Sequence, residues 1–171
     1  MRAEPQLNTP QRSPWKGLFA GAVGGLIASF AMGKFSSLLL RNARKSYSQA
    51  DKEDSTVKAA SAISQTIFHH KLTTDQKKIA GPAMHYAFGL TMAALYGVMV
   101  EVRESASLGW GLPFGVVIWL GAHVITVPAL GLSEPVTDSA WEIEATEFGA
   151  HLVYGAVVES FRRGLRKSLL R

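Results

Sequence analysis

The 171-residue sequence contains no cysteine, which excludes a disulfide framework, a thiolate metal site and a cysteine nucleophile. Charged residues are also few, at 18%, whereas apolar residues make up 47%. This balance, together with the absence of a Gly-X-Y period, excludes a disordered or collagen-like chain. The length corresponds to about one domain.

Three stretches of the sequence lack charged residues over the length of a membrane span. They are Gly17–Gly33, which continues past Lys34 to Leu40, Pro82–Val100 and Ser105–Ser133. About 20 apolar residues let a helix cross a hydrocarbon layer of about 30 Å, and a lysine near a helix end can extend its ammonium group to water. A soluble helix as long as the third stretch would show a polar stripe, and this stretch has none. The sequence therefore predicts an integral membrane protein.

A fourth stretch, Ile143–Phe161, is a weaker candidate, because its uncharged centre covers only Phe148–Val158. Alone, it could equally be an interfacial or buried helix. We favour four transmembrane helices, with three as the alternative, because a histidine and a glutamate at opposite ends of this stretch suit a helix that crosses the membrane. The predicted fold class is an all-α integral membrane helical bundle.

The polar parts of the sequence define the predicted regions: a polar N-terminal arm at 1–14, a helical membrane domain at 15–167 with a polar segment at 41–80, and the end of a basic tail at 168–171. Apolar spacing within the polar segment predicts an amphipathic helix over Ser55–Leu72. A basic cluster after a membrane helix marks the cytoplasmic side and attracts anionic lipid. We therefore predict a multi-pass protein of the bacterial inner (cytoplasmic) membrane with a cytoplasmic C-terminus. The net charge is +5, and we expect the basic residues to interact with the lipid bilayer and not with nucleic acid.

Small residues recur at every fourth position of the apolar stretches. The first stretch carries Gly17, Gly21, Gly25, Ser29 and Gly33, the second carries Gly89, Ala93 and Gly97, and the third carries Gly111 and Gly115. In lipid, such stripes let helix backbones approach closely. The pattern predicts close helix packing inside the chain, and the same spacing would serve a homo-oligomer or contact with another membrane protein.

Six ionisable residues in the apolar stretches form a predicted polar site inside the membrane. They are His85, His123, His151, Glu101, Glu159 and Lys34. Antiparallel helices would bring the three histidines within roughly 10 Å of one depth, at 1.5 Å per residue, with the lysine approaching the same face. The two glutamates would lie near the opposite face, where ion pairs with Arg103 and Arg162 are the ordinary interpretation. Ionisable groups in a membrane interior are costly, so each is a candidate functional residue.

Several chemistries suit the histidines, and the sequence leaves them open. Imidazoles could bind zinc or copper, could hold a haem iron from facing helices, or could relay and sense protons because they titrate near pH 6.5. They could equally be inert groups that hydrogen-bond a neighbouring helix. The sequence therefore identifies neither a metal nor a cofactor. Nucleotide-binding loops, the serine-hydrolase elbow and the zinc-protease motif are absent, so we expect no enzyme.

Three blocks of the sequence keep a distinctive order of polar residues. In this order His85 precedes Glu101, His123 precedes Pro128 and Gly131, and His151 precedes Glu159-Ser-Phe-Arg162-Arg163. With this order the region Pro82–Lys167 resembles the YagU-like family of uncharacterised bacterial inner-membrane proteins. The resemblance implies an inner-membrane location, a suggested link to acid tolerance and no established substrate. It also implies that the family's recurring residues correspond to His85, Glu101, His123, Pro128, His151, Glu159 and Arg163.

Three functional hypotheses follow. The one we favour is a membrane protein linked to pH and acid stress, in which the three histidines titrate. The second is a non-catalytic scaffold or accessory membrane subunit whose glycine stripes contact a partner. The third is a metal- or haem-binding membrane protein.

Overall fold

The structure, a computed structural model, describes residues 13–46 and 54–168, and within them every regular element is helical. The helices are α1 (Pro14–Ser46), α2 (Ser55–Phe68), α3 (Thr74–Val102), α4 (Leu112–Ile118), α5 (Val127–Ala129) and α6 (Trp141–Ser168). A 3₁₀ segment at Glu104–Gly111 precedes α4, a π-helical segment at Trp119–Thr126 joins α4 to α5, and a 3₁₀ turn at Val136–Asp138 precedes α6. The predicted all-α membrane bundle is confirmed. Nearly all of the predicted arm at 1–14 and the last three residues of the predicted tail lie outside the described residues.

The ends of α2 and α3 are set by local capping. Asp54 accepts a hydrogen bond from the Thr56 N–H at the start of α2. His69 takes a left-handed conformation at the end of α2, which stops the helix before the predicted end at Leu72. Thr73 and Gln76 then form a capping box, so α3 begins well before the apolar stretch that identified it.

Helices α1 and α3 pack antiparallel through their small residues. Gly17 opposes Gly97, and Gly21 opposes Ala93, where a Cβ on either member of the first pair would overlap the backbone of the other helix. Farther along, a Cβ at Gly25 would lie only 2.7 Å from the side chain of Ala93. Among the described residues nothing would lie within 4 Å of a Cβ at Gly33, so the stripe makes close contacts only along the first part of α1.

Helices α4 and α6 make the second close contact. A Cβ at Gly111 or at Gly155 would overlap the backbone of the opposing helix, and one at Gly115 would overlap the backbone of His151. The start of α4 depends on three consecutive residues with positive φ, at Gly109, Trp110 and Gly111. Glycine adopts this conformation at no steric cost, whereas a tryptophan does so only when its surroundings hold it.

Within residues 13–46 and 54–168, three segments are long and apolar enough to cross a membrane: Pro14–Arg41, Thr74–Val102 and Glu104–Ala129. Within the third, only 6% of the most apolar window is buried inside the protein, which suits contact with lipid. Helix α6 is also 28 residues long, but its charged residues keep it outside this group. Four spans therefore stay a prediction.

The core of the bundle is built mainly from alanines, valines and tyrosines, and many large apolar side chains face outward. Buried core residues are Ala28, Ala93, Tyr96, Val100, Tyr154 and Val158. Outward-facing ones include Phe30, Leu38, Leu95, Val117 and Ile125. A membrane protein gains little from burying apolar side chains between its helices, because lipid tails are equally apolar. This distribution agrees with a bilayer around the bundle.

Candidate functional site

A small cavity lies between α1, α3, α4 and α6, and two of the predicted histidines line it. Its volume is about 60 Å³, and its lining consists of Ser29, Met32, His85, Phe88, Gly89, Ile118, His151 and Tyr154. His85 comes from α3 and His151 from α6, which are distant in sequence. The antiparallel packing of these helices therefore brings the two imidazoles to one cavity.

Backbone carbonyl groups orient both of these rings. His151 is only 7% exposed, and its Nδ1 lies 2.7 Å from the carbonyl oxygen of Glu147. A carbonyl only accepts, so Nδ1 carries the proton and Nε2 is left with the lone pair. The Nε2 of His85 lies 3.4 Å from the carbonyl oxygen of Ser29, so the same reasoning leaves its Nδ1 as the acceptor.

His123 lies in the π-helical segment and contacts His151. The two ring centroids are 5.9 Å apart, and Trp119 also stacks on His123, at 6.4 Å between centroids. Its Nε2 lies 2.9 Å from Glu144, near the start of α6. A carboxylate can accept from the neutral imidazole and is a counter-ion for the protonated one.

The π-helical turn that carries His123 is stabilised by bonds that reach back five residues. The Val127 N–H donates to the Ala122 carbonyl, and the Thr126 hydroxyl donates to the Gly121 carbonyl at 2.6 Å. The next residue, Pro128, has no N–H and so removes one ordinary helical bond at this point. Single π turns are frequent at functional sites.

Lys34 does not join the histidines. It is exposed, and its ammonium group lies 5.4 Å from the ring centroid of Phe30. The cavity face of α1 carries Ser29 and Met32. Lys34 is five residues beyond Ser29, which turns it about 140° away from that face. Depth in the membrane was the basis of the sequence prediction, and depth leaves the direction of a side chain open.

The described residues give no support to a metal or haem centre. Within 13–46 and 54–168, no three His, Cys, Asp or Glu side chains are grouped so that they could hold a metal ion. A cavity of about 60 Å³ has room for water molecules and is too small for a porphyrin.

The two glutamates lie in a separate cluster toward the other end of α6. Glu159 has 0% exposure and accepts hydrogen bonds from Tyr96 at 3.0 Å and from Arg162 at 2.7 and 2.9 Å. Arg163 donates to the same carboxylate at 2.5 Å and also binds the carbonyl oxygen of Ser107 at 3.0 Å. The carboxylate is therefore fully satisfied, and two guanidinium groups share it.

Glu101 pairs with Arg166, seven residues after Glu159, and not with Arg103, two residues further along the chain. Arg166 donates to both oxygens of Glu101, at 2.5 and 2.9 Å, and the Ser13 N–H donates at 3.0 Å. The expected pairing with Arg103 is wrong because α3 ends there in an extended conformation that leaves Arg103 exposed. These bonds tie the end of α3 to the start of α1 and the end of α6.

Three aromatic rings in contact lie between the two clusters. Tyr96 stacks on Phe114 at 4.3 Å between ring centroids, and Phe114 contacts Tyr154 at 5.8 Å. The hydroxyl of Tyr96 binds Glu159, whereas that of Tyr154 donates to the Gly89 carbonyl beside the cavity. Sequence reasoning missed both tyrosines, because their partners lie more than 60 residues away in the chain.

The bundle carries apolar side chains on its outer surface and buries imidazole and carboxylate groups between its helices. These features define a helical integral membrane protein. Residues 44–160 match the model of a family described as "Protein of unknown function (DUF1440)", and the chain belongs to this family. The chain is also 34% identical, over 85 residues, to the inner membrane protein YagU of Escherichia coli (strain K12). The match covers 50% of this chain and 42% of that protein, so it spans less than half of the relative's length. The resemblance to YagU-like proteins is thereby confirmed, and no solved structure matches the chain.

Proposed function

We propose that the chain is a multi-pass protein of the bacterial inner membrane whose buried histidines make the helical bundle respond to acid. The observation that carries this proposal is the grouping of three imidazoles: His85 and His151 line one cavity, and His123 packs against His151. The inner-membrane location is proposed by similarity to the YagU protein.

Electrostatics explain why this grouping would respond to pH. Imidazole is the side chain that titrates in the range between about pH 5 and pH 8. Protonation places positive charges on rings from different helices, and the carboxylate of Glu144 faces His123. The described residues that line the cavity include no carboxylate that could balance a charge on His85 or His151. We therefore expect protonation to push α3 and α6 apart.

The sign of the effect follows from linkage. A folded bundle that resists protonation binds fewer protons than the unfolded chain, so its stability falls as the pH falls. The histidines lie toward the same end of the bundle as the acidic connection at 134–147. If the basic C-terminal end of α6 is cytoplasmic, the end of the bundle that carries the histidines faces the periplasm, where external acid arrives first.

The test compares pH-dependent stability in detergent. The purified protein, the triple variant His85→Gln/His123→Gln/His151→Gln and the control variant His69→Gln/His70→Gln are unfolded thermally between about pH 7 and pH 5. We expect the wild type and the control to lose stability toward pH 5, because His69 and His70 are exposed, and the triple variant to show a flat profile.

Fluorescence gives a second readout of the same site. Trp119 stacks on His123, and a protonated imidazole in contact with an indole quenches its emission. The difference in emission between the wild type and Trp119→Phe should therefore titrate with the histidines.

If the triple variant keeps the acid sensitivity of the wild type, the histidines are structural, and the scaffold hypothesis is the better one.

A further inference from the structure

The hydroxyl group of Ser29 is buried on the wall of the histidine cavity without a partner. Ser29 is 1% exposed, and its Oγ makes no hydrogen bond with any residue in the described part of the chain. Burying a hydroxyl without a partner is unfavourable, and the exceptions in folded proteins call for an explanation such as an ordered water. The mechanism proposed above does not use this group.

Other polar residues that line the cavity keep free hydrogen-bond acceptors. His151 donates from Nδ1 to the Glu147 carbonyl, and the His85 ring donates from Nε2 to the Ser29 carbonyl, so each ring keeps a lone pair on its other nitrogen. The Tyr154 hydroxyl donates its proton to the Gly89 carbonyl. Ser29, with its hydroxyl, and two histidines that each keep a lone pair therefore line one small cavity.

The volume of the cavity suits water. A cavity holds one water molecule when its volume is roughly 10–15 Å³ or more and two or more polar groups can bind the water. The cavity offers about 60 Å³. Gly89 leaves room for the Ser29 hydroxyl, because a Cβ at position 89 would overlap the hydroxyl oxygen.

We infer that this cavity is a hydrated proton-binding site, in which water held by the Ser29 hydroxyl delivers a proton to a lone-pair nitrogen of His151 or His85. Hydronium gives up one proton, the new bond is N–H on the imidazole, and a neutral water remains. This inference rests on the proposed function and adds the carrier. The groups that face His151 are His85 from α3, His123 from the π-helical segment, Ser29 from α1 and Tyr154 on its own helix.

The experiment measures magnetisation transfer from water to the histidine rings by NMR. The full chain, labelled with ¹⁵N-histidine, is placed in nanodiscs of phosphatidylethanolamine and phosphatidylglycerol, and His151→Gln and His85→Gln assign the two signals. In the wild type we expect both rings to receive magnetisation from water, with His151 protonated at Nδ1 in its neutral form.

The decisive variant removes the Ser29 hydroxyl group from the cavity wall and places a methyl group beside it. In Ser29→Ala/Gly89→Ala the hydroxyl is removed, and the new Cβ at position 89 meets the Cβ at position 29 at an ordinary 3.5 Å. We expect transfer to both rings to fall about fivefold or more, because the water loses its hydroxyl partner and part of its space. Ser36→Ala is the matched control, since Ser36 is also a buried, unpartnered serine of α1 but does not line the cavity.

Each outcome has a clear meaning. A wild type without transfer, or a double variant that transfers as fast as the wild type, would overturn the hydrated site. Should the double variant misfold, Ser29→Ala alone takes its place, and unchanged transfer there counts against the inference equally. Water transfer in a wild type whose Trp119 emission does not change between about pH 7 and pH 5 would overturn the proposed acid response and leave the water site standing.

Discussion

The charge balance around Glu159 is the most demanding residue-level feature of the bundle. Three donor residues surround one carboxylate that has no contact with solvent. Such an arrangement is worth little compared with apolar packing, but removing one partner leaves charges buried without compensation. Arg163 is further fixed by its position over the ring of Trp110, at 4.2 Å from the centroid.

This balance predicts a difference between two conservative substitutions. Glu159→Gln leaves Arg162 and Arg163 without their anion, and we expect it to lower the free energy of unfolding by about 3–5 kcal/mol. Tyr96→Phe removes one hydrogen bond to the same carboxylate and should cost only about 1 kcal/mol. Denaturant titration in mild detergent measures both. Equal losses in the two variants would show that the guanidinium groups find other partners.

Some of this cluster could be predicted from the sequence, and some could not. Arg162 and Arg163 stand three and four residues after Glu159, which places them on its side of a helix. Tyr96 becomes a partner only when α3 packs on α6. The buried position of the Ser29 hydroxyl likewise depends on the space that Gly89 of α3 leaves for it. From the sequence alone, Ser29 was only one member of a small-residue stripe.

At the level of helices, close approach between backbones replaces the packing of large side chains. The spacing of small residues predicted which helices could approach closely, but it did not predict which pairs would meet. The pairing of α1 with α3 and of α4 with α6 needed the tertiary structure. The π-helical turn was also beyond the sequence analysis. Because one extra residue in a turn rotates the rest of a helix by about 100°, it decides that His123 meets Glu144.

The glycine contacts predict that the same substitution has very different effects at two positions of α1. Gly21→Leu drives a side chain into the backbone of α3 and should cost about 1–3 kcal/mol or more. Gly33→Leu belongs to the same stripe but has open space, and Leu26→Ala alters an outward-facing side chain, so both should change stability by less than about 0.5 kcal/mol. Thermal unfolding in detergent compares the three. If Gly33→Leu is as damaging as Gly21→Leu, the stripe acts through another contact, such as an oligomer.

On the scale of the whole molecule, the position of α6 decides how many times the chain crosses the membrane. Its hydropathy alone left this open. Gly149 lies against the ring of Phe35, and Arg166 reaches Glu101 together with the Ser13 backbone. Helix α6 therefore runs antiparallel beside α1 from Phe35 back to Ser13. That distance is about 33 Å at 1.5 Å per residue, which matches a hydrocarbon layer of about 30 Å. If α1 spans the membrane, α6 spans it too.

The absence of cysteine makes this prediction direct to test, because single introduced thiols have no background. Four exposed polar residues serve as sites: Gln65, Ser105, Ser139 and Ser168. With four spans and a cytoplasmic C-terminus, a membrane-impermeant thiol reagent on intact cells should label Gln65→Cys and Ser139→Cys and leave the other two unlabelled. Three spans reverse the pattern at positions 65, 105 and 139 but keep position 168 protected. Labelling at position 168 would contradict the cytoplasmic C-terminus itself, and the histidine cavity would then lie toward the cytoplasm, away from external acid.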